Sequence, residues 1–207
     1  MSKKAKRFLL LAAILLLAGG WAWRYTTLND FYGSLYAQVR DTYPMGEIVP
    51  IGDSGTKYGM NAGGYSVRVD DFAILDLPEF LEQISASEAD LTSLPDKVAV
   101  VYVTLFNEDS QAPGVNLAGF WLHGIDNYAT AEFGLVALAN PVLRASGNPG
   151  ISLSPGTEYS VVIPFSLYEQ YFGMDTWRNL EEYDFYFCMS NPDGEKDIRC
   201  QSVGERG

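Results

Sequence analysis

The longest strand-like apolar run lies within Lys97–Asp109, KVAVVYVTLFNED. Val98, Val100, Tyr102, Thr104 and Phe106 fall on one face of an extended chain, and Ala99, Val101, Val103 and Leu105 on the other. A strand sends successive side chains to opposite faces. Both faces here are apolar, so the pattern predicts a central strand shielded from water on both sides. β-Branched and aromatic residues favour the pleated conformation over a helix. Such a strand needs sheet neighbours and a covering layer.

Weaker alternations supply those neighbours. Glu47–Ile51 is strand-like, and Pro50 makes it an edge strand. Tyr65, Val67 and Val69 alternate, and then the apolar register moves to Phe72 and Ile74 across Asp70-Asp71, as a β-bulge would require. Pro78–Ile84 suits two turns of helix. Val115–His123 is a further strand. If Ala118-Gly119 holds a second bulge, Phe120 and Leu122 share the core face and Trp121 and His123 point outward; the opposite register buries Trp121. Asp126-Asn127 is a turn. Leu135–Leu143 is apolar without a clean period. Thr157–Phe165 alternates with Tyr159, Val161, Ile163 and Phe165 on one face, and Ser166-Leu167-Tyr168-Glu169 has the spacing of a capping box opening a short helix. A closing hairpin runs through Tyr183–Met189 and Ile198–Val203 about Asn191-Pro192-Asp193-Gly194.

Before these strands the pattern is helical. Leu28, Phe31, Tyr32, Leu35, Tyr36 and Val39 lie at i, i+3, i+4, i+7, i+8 and i+11, the stripe of an amphipathic helix that Pro44 stops. That stripe suits packing on the body, or an interface with a partner helix or second copy of the chain. Phe8–Trp23 is 16 residues without a charge. As a helix it spans roughly 24 Å, close to the ~30 Å hydrocarbon core of a bilayer. Trp21, Trp23 and Tyr25 extend it as an interfacial belt, and Lys3, Lys4, Lys6 and Arg7 place its start on the cytoplasmic side. The expected organisation is a basic tail (1–7), a transmembrane signal-anchor (8–25), a juxtamembrane helix (26–44) and an extracytoplasmic domain (45–207). Cleavage at Ala18-Gly19-Gly20 is the alternative and would give a secreted protein.

Charge and composition narrow the partners. The formal net charge is −12, and the four basic residues of the tail leave sixteen net negative charges on the rest. A body that acidic is repelled by phosphate backbones, which excludes nucleic acid as a partner. Two cysteines and one histidine fall short of the ligand set of a structural zinc site. Cys188 and Cys200 flank the hairpin turn. A three-residue loop would set them opposite each other for a disulfide, and a two-residue loop would place Arg199 there instead.

The order VYVTLFNED, then PGVNLAGFWLHGIDNYA, then SLSPGTEYSVVIPFSL, behind an apolar N-terminal segment, resembles the telokin-like, immunoglobulin-like extracytoplasmic proteins of Gram-positive bacteria, largely domains of unknown function. The likeness covers roughly Tyr65–Val203. It implies an all-β, immunoglobulin-like antiparallel β-sandwich outside the membrane, and no catalytic activity. The inter-sheet cysteine pair around a tryptophan found in antibody domains is absent from this sequence.

Candidate chemistry is sparse. His123 is the single histidine, with no Ser-His-Asp spacing and no second ligand beside it, so it reads as a strand residue rather than a general base. Trp121 and His123 together are the candidate ligand-binding aromatics. Asn191, Asp193, Glu195 and Asp197 mimic the alternate oxygens of a calcium loop. Lys196 stands at the glycine position, however, and Ser202 stands where the bidentate Glu belongs. Asp70-Asp71 is a weaker acidic pair of the same kind. No catalytic residue, metal site or cofactor is expected. The reading is a non-enzymatic, membrane-anchored module contacting an extracytoplasmic protein, with a surface or secreted sandwich binding a small ligand or glycan through aromatics as the alternative.

Overall fold

The structure, a computed structural model, describes residues 5–7, 12, 15–25, 40–52, 62–108, 111, 114–125, 127–189 and 195–200. The chain divides into two compact units, Met1–Val39 and Arg40–Gly207. In the first, residues 15–25 form helix α1. Its Leu15, Leu16, Leu17, Trp21 and Trp23 side chains are all exposed, and the Trp21 and Tyr25 rings stack at 5.4 Å. No helix among the described residues is long and apolar enough to cross a membrane. Of the transmembrane helix expected over 8–25, residues 12 and 15–25 are helical, and 8–11, 13 and 14 lie outside the described residues. The stripe Leu28, Phe31, Tyr32, Leu35, Tyr36 and Val39 lies outside the described residues.

The second unit is mostly β-sheet. One sheet contains β2 (Val49–Pro50), β3 (Tyr65–Asp76), β4 (Lys97–Asn107) and β9 (Thr157–Leu167) in the order β2-β3-β4-β9, all antiparallel. The other has the order β1-β11-β10-β6-β7, from β1 (Arg40–Pro44), β11 (Glu195–Arg199), β10 (Phe185–Met189), β6 (Trp121–Gly124) and β7 (Asn127–Thr130). A two-stranded ribbon joins β5 (Val115–Asn116) to β8 (Gly150–Ile151). The two larger sheets face each other across one core. Phe72 of β3 meets Phe185 of β10 at 5.5 Å, and Phe165 of β9 meets Phe187 edge-on at 6.3 Å.

β4 is an inner strand buried on both sides. Ala99, Val101, Val103 and Leu105 face the opposing sheet and are fully buried. Val98 and Val100 face the other way, beneath helices α2 (Leu77–Gln83) and α3 (Phe133–Ala139), against Leu77, Phe80, Leu81 and Leu135. Burying each such Val stabilises the fold by about 1.5–3 kcal/mol relative to leaving it exposed. The covering layer on this side is thus helical rather than a third sheet. Beyond the helices the same face turns polar. The Thr104 hydroxyl donates to Asp70 at 2.6 Å, and Arg68 lies over the Phe106 ring at 5.3 Å. The bulge expected at Asp70-Asp71 is present, as a register shift between Val69 and Asp71. Its carboxylates are engaged there: Asp70 with Arg68 and Thr104, and Asp71 with the Phe72 N–H.

Three polar side chains close the sheet's margins. Asn140, between α3 and α4 (Pro141–Ser146), receives the Val162 N–H at 3.0 Å and donates to the Val162 carbonyl at 2.6 Å, standing in for a strand beside β9. This blunts an edge that would otherwise offer a pairing template. Asn107, at the end of β4, donates to the Leu153 carbonyl at 2.7 Å, and the Tyr65 hydroxyl receives the Leu153 N–H at 3.1 Å. Together they pin the Ser152–Gly156 connection to the ends of β3 and β4.

Several expectations are corrected. Arg40–Pro44 is strand β1, paired in parallel with β11, not the last turn of a helix, so the sandwich is not wholly antiparallel. Leu135–Leu143 forms parts of α3 and α4, which makes the fold β-rich with a helical layer rather than all-β. Ser166 and Leu167 continue β9, because Leu167 pairs with Lys97 and its carbonyl takes the Asp96 N–H; only a 3₁₀ turn at Glu169–Tyr171 follows. The closing hairpin pairs Met189 with Lys196, a longer connection than either expected loop, and sets Cys188 opposite Asp197. Cys200 instead joins Phe185 through its backbone, three residues along from Asp197, so the two cysteines point to opposite faces. Both are buried thiols, not a disulfide.

Burial pushes the Cys200 thiol from its ordinary 9.0 up to about 12; a hydrogen bond with the Phe187 backbone opposes this and the Asp197 carboxylate adds to it. Below pH 9.0 the thiol is protonated in both folded and unfolded chains, so its burial stabilises in full. As pH rises from there through about 12, the unfolded chain ionises first and that contribution is lost. The thiolate is the reactive form. At pH 8 the native protein should leave an aromatic disulfide reagent unreacted, and denaturation without reductant should release both thiols. Absence of both after denaturation would establish a bond that this register forbids.

Candidate functional site

The β6–β7 hairpin and its neighbour β10 carry the chemistry that reaches the surface. Alternation along β6 sends Leu122 into the core, where it is 2% exposed, and leaves Trp121 and His123 on the outward face, half-buried. The 3₁₀ turn Leu117–Gly119 between β5 and β6 makes this register, taking the place of the bulge expected at Ala118-Gly119. Pairing fixes the outward neighbours. Trp121 lies between Cys188 and Thr130, and His123 between Tyr186 and Tyr128. The His123 and Tyr128 rings stack at 4.4 Å and 23°. Trp121 meets Tyr128 edge-on at 6.3 Å, and Tyr186 lies 6.2 Å from His123. Such cross-strand ring pairs contribute roughly 0.2–1 kcal/mol each. Tyr128, 49% exposed, is the most open ring of this patch.

The inward face of the same hairpin borders a cavity of about 210 Å³ that opens to the surface. Leu122, Ala129 and Phe185 form one wall, and Leu167, Tyr168 and Phe172 form another. Tyr168 and Tyr171 meet edge-on at 5.8 Å, and Tyr171 is 63% exposed. The Asn127 amide donates to the Tyr171 carbonyl at 3.1 Å and to the Ile125 carbonyl at 3.2 Å, tying the Tyr171 segment to the hairpin.

Two backbone features shape this wall. Gly124 sits opposite Phe185, and a Cβ there would lie 2.5 Å from the ring. The turn from Gly124 to Asn127 holds Ile125 at φ 53, a left-handed conformation in which a β-branched residue is strained. Ile125 keeps it because its side chain packs on the core.

Ser166, also lining the cavity, donates to Glu132 at 3.1 Å. The same carboxylate takes the Ser93 hydroxyl at 3.0 and 3.1 Å. Glu132 therefore gathers hydroxyls from the two segments it bridges. His123 lies on the other face of the hairpin, so the Ser166–Glu132 pair has no imidazole relay. Among the described residues no group of three or more His, Cys, Asp or Glu is placed to hold a metal. Of the calcium-like positions, Asn191–Gly194 lie outside the described residues, and Asp197 is buried within β11. What this arrangement offers is ring surface: an outward patch and an apolar recess, one on each face of a single hairpin.

Trp121 and His123 were legible from alternation. Tyr128 and Tyr186 were not, because they join the patch only through pairing register. The cavity residues Tyr168, Tyr171 and Phe172 sit in a segment whose helical spacing masked the continuation of β9.

Gly124→Ala should destabilise the protein by about 1–3 kcal/mol through overpacking against Phe185. In urea unfolding, adding Phe185→Leu should recover part of that loss. Strictly additive effects of the two substitutions would show that the ring is not what demands glycine.

No curated protein and no solved structure matches the chain. Residues 40–192 match a domain of unknown function, DUF5028, whose start coincides with the first residue of β1. That match spans most of the chain, which therefore belongs to the DUF5028 family.

Proposed function

We propose that the chain is a non-enzymatic binding module, anchored to the cell membrane by its N-terminal segment, whose extracytoplasmic sandwich contacts a protein at the cell surface. The observation that carries this reading is the outward row Trp121, His123, Tyr128 and Tyr186. Aromatic side chains present large, rigid area at low entropic cost and are enriched where proteins meet. α1 supports the anchor: its leucines and tryptophans are exposed, suited to lipid and to the headgroup layer, and it follows a basic tail. Two β-sheets facing across one core support an immunoglobulin-like reading of the body. The acidic body favours a partner with basic surface.

The stacked His123–Tyr128 pair also favours a second reading, in which the ring platform holds a small ligand or glycan. The stripe Leu28–Val39 would then serve the stalk, or association with a second copy of the chain.

Tyr128→p-benzoylphenylalanine in the full chain separates these readings. After irradiation of intact cells, membranes washed with high salt should retain the protein joined to one discrete membrane protein. Release of the chain by salt would remove the anchor, and retention without any protein adduct would contradict the proposed contact.

A further inference from the structure

We infer that the cavity beside β7 seats one aromatic side chain carried on a basic segment of the partner protein. This inference rests on the proposed protein contact and specifies its chemistry.

Size is the first ground. Pockets for whole small molecules run to roughly 300–1,000 Å³. This one is about 210 Å³. A dry cavity of roughly 150 Å³ is enough to admit benzene. The recess thus holds one ring and little more, which suits a side chain better than a free ligand.

Lining is the second ground. Leu122, Phe172 and Phe185 supply apolar walls, and the edge-on pair Tyr168–Tyr171 adds ring faces. The Asn127 amide at the recess is committed to the Tyr171 and Ile125 carbonyls and the Ser166 hydroxyl to Glu132; the other polar side-chain atoms of the lining are tyrosine hydroxyls, and no charged side chain lines it. A group entering here gains ring contact, while a charged group would lose its water without a partner. An uncharged aromatic ring matches this chemistry.

Charge around the recess is the third ground. The segment Tyr168–Phe185 leaves the cavity wall and returns to it, since both end residues line the cavity. Between them Glu169, Asp175, Glu181 and Glu182 are exposed, against one exposed base, Arg178. Asp184 is paired with Arg199 at 2.6 Å. An apolar seat bordered by a net acidic segment selects an aromatic residue flanked by lysine or arginine. Tyr128 of the outward patch also borders the cavity, so a segment seated in the recess meets that residue at the margin of the patch.

The test uses the full chain in detergent micelles and the peptide acetyl-Lys-Arg-(4-fluoro-Phe)-Lys-Arg-amide, followed by fluorine NMR. The resonance should shift and saturate. Binding should weaken at least fivefold with Tyr171→Ala, which opens the seat at an exposed position, and with Ala129→Phe, which fills it. The same peptide with Ala in place of the ring, and one with Glu in place of the bases, should compete at least tenfold less well. Equal competition by the Ala peptide, or no saturable shift, would overturn the inference. Cells distinguish its failure from that of the proposed contact. If the position-128 adduct forms undiminished in the Tyr171→Ala chain, the seat is overturned and the contact stands. If the peptide saturates the seat but no adduct forms, the contact falls and the seat stands.

Discussion

Burial of β4 on both faces is the constraint from which the rest of the second unit follows. A strand with Val98 and Val100 on one side and Ala99, Val101, Val103 and Leu105 on the other cannot sit at a water-facing surface. One side is met by the sheet that carries Leu122, Phe187 and Ile198, the other by α2 and α3. That demand makes the domain three layers deep. It also decides which faces remain available: the side of β4's sheet away from the core is spent on helices, whereas the second sheet has Trp121, His123 and Tyr186 half-buried and Tyr128 exposed on its outward face, with Cys188 and Asp197 buried there. β9 is closed off as well, since Asn140 occupies its hydrogen-bonding edge at Val162.

The functional reading follows from what is left over. The β6–β7 hairpin lies at the end of the second sheet, with an outward face of rings and an inward face that meets the end of β9 incompletely. The incomplete closure is the cavity. Its borders are held by particular devices: Gly124 making room for Phe185, Ile125 strained at the turn, and Asn127 bonding across to Tyr171. A strained, tied corner beside an aromatic row is a preorganised surface, and preorganisation reduces the ordering cost of binding.

How far the sequence could be read depends on whether a feature is local. Strand alternation showed β3, β4 and β9, the bulge at Asp70-Asp71, the edge character of Pro50, and the opposed faces of Leu122 and Trp121. Those follow from each residue's own neighbours. What failed needed information from far along the chain. β1 forms by parallel pairing with β11, almost the whole domain away. Ser166-x-x-Glu169 has capping-box spacing, yet Leu167 is held by Lys97 and by the Asp96 N–H, and tertiary pairing overrides the local signal. Phe133–Ser146 shows no helical period because Pro141 divides it into two short helices, each burying only one or two residues, among them Leu135, Val136 and Leu143. The cysteine register depended on loop length, which turn residues alone do not set. Of the candidate site, the two residues on β6 were visible and the rings that pairing brings to them were not.

The central claim is that the aromatic hairpin is covered by another protein where the chain works. Hydroxyl-radical footprinting of the full chain, in intact cells and after purification in detergent, tests it directly. The account predicts that Trp121, Tyr128 and Tyr171 are protected in cells and oxidised several-fold faster once purified, while Tyr159 on β9, also exposed, reacts alike in both. Equal oxidation of Trp121, Tyr128 and Tyr171 in both settings would contradict it.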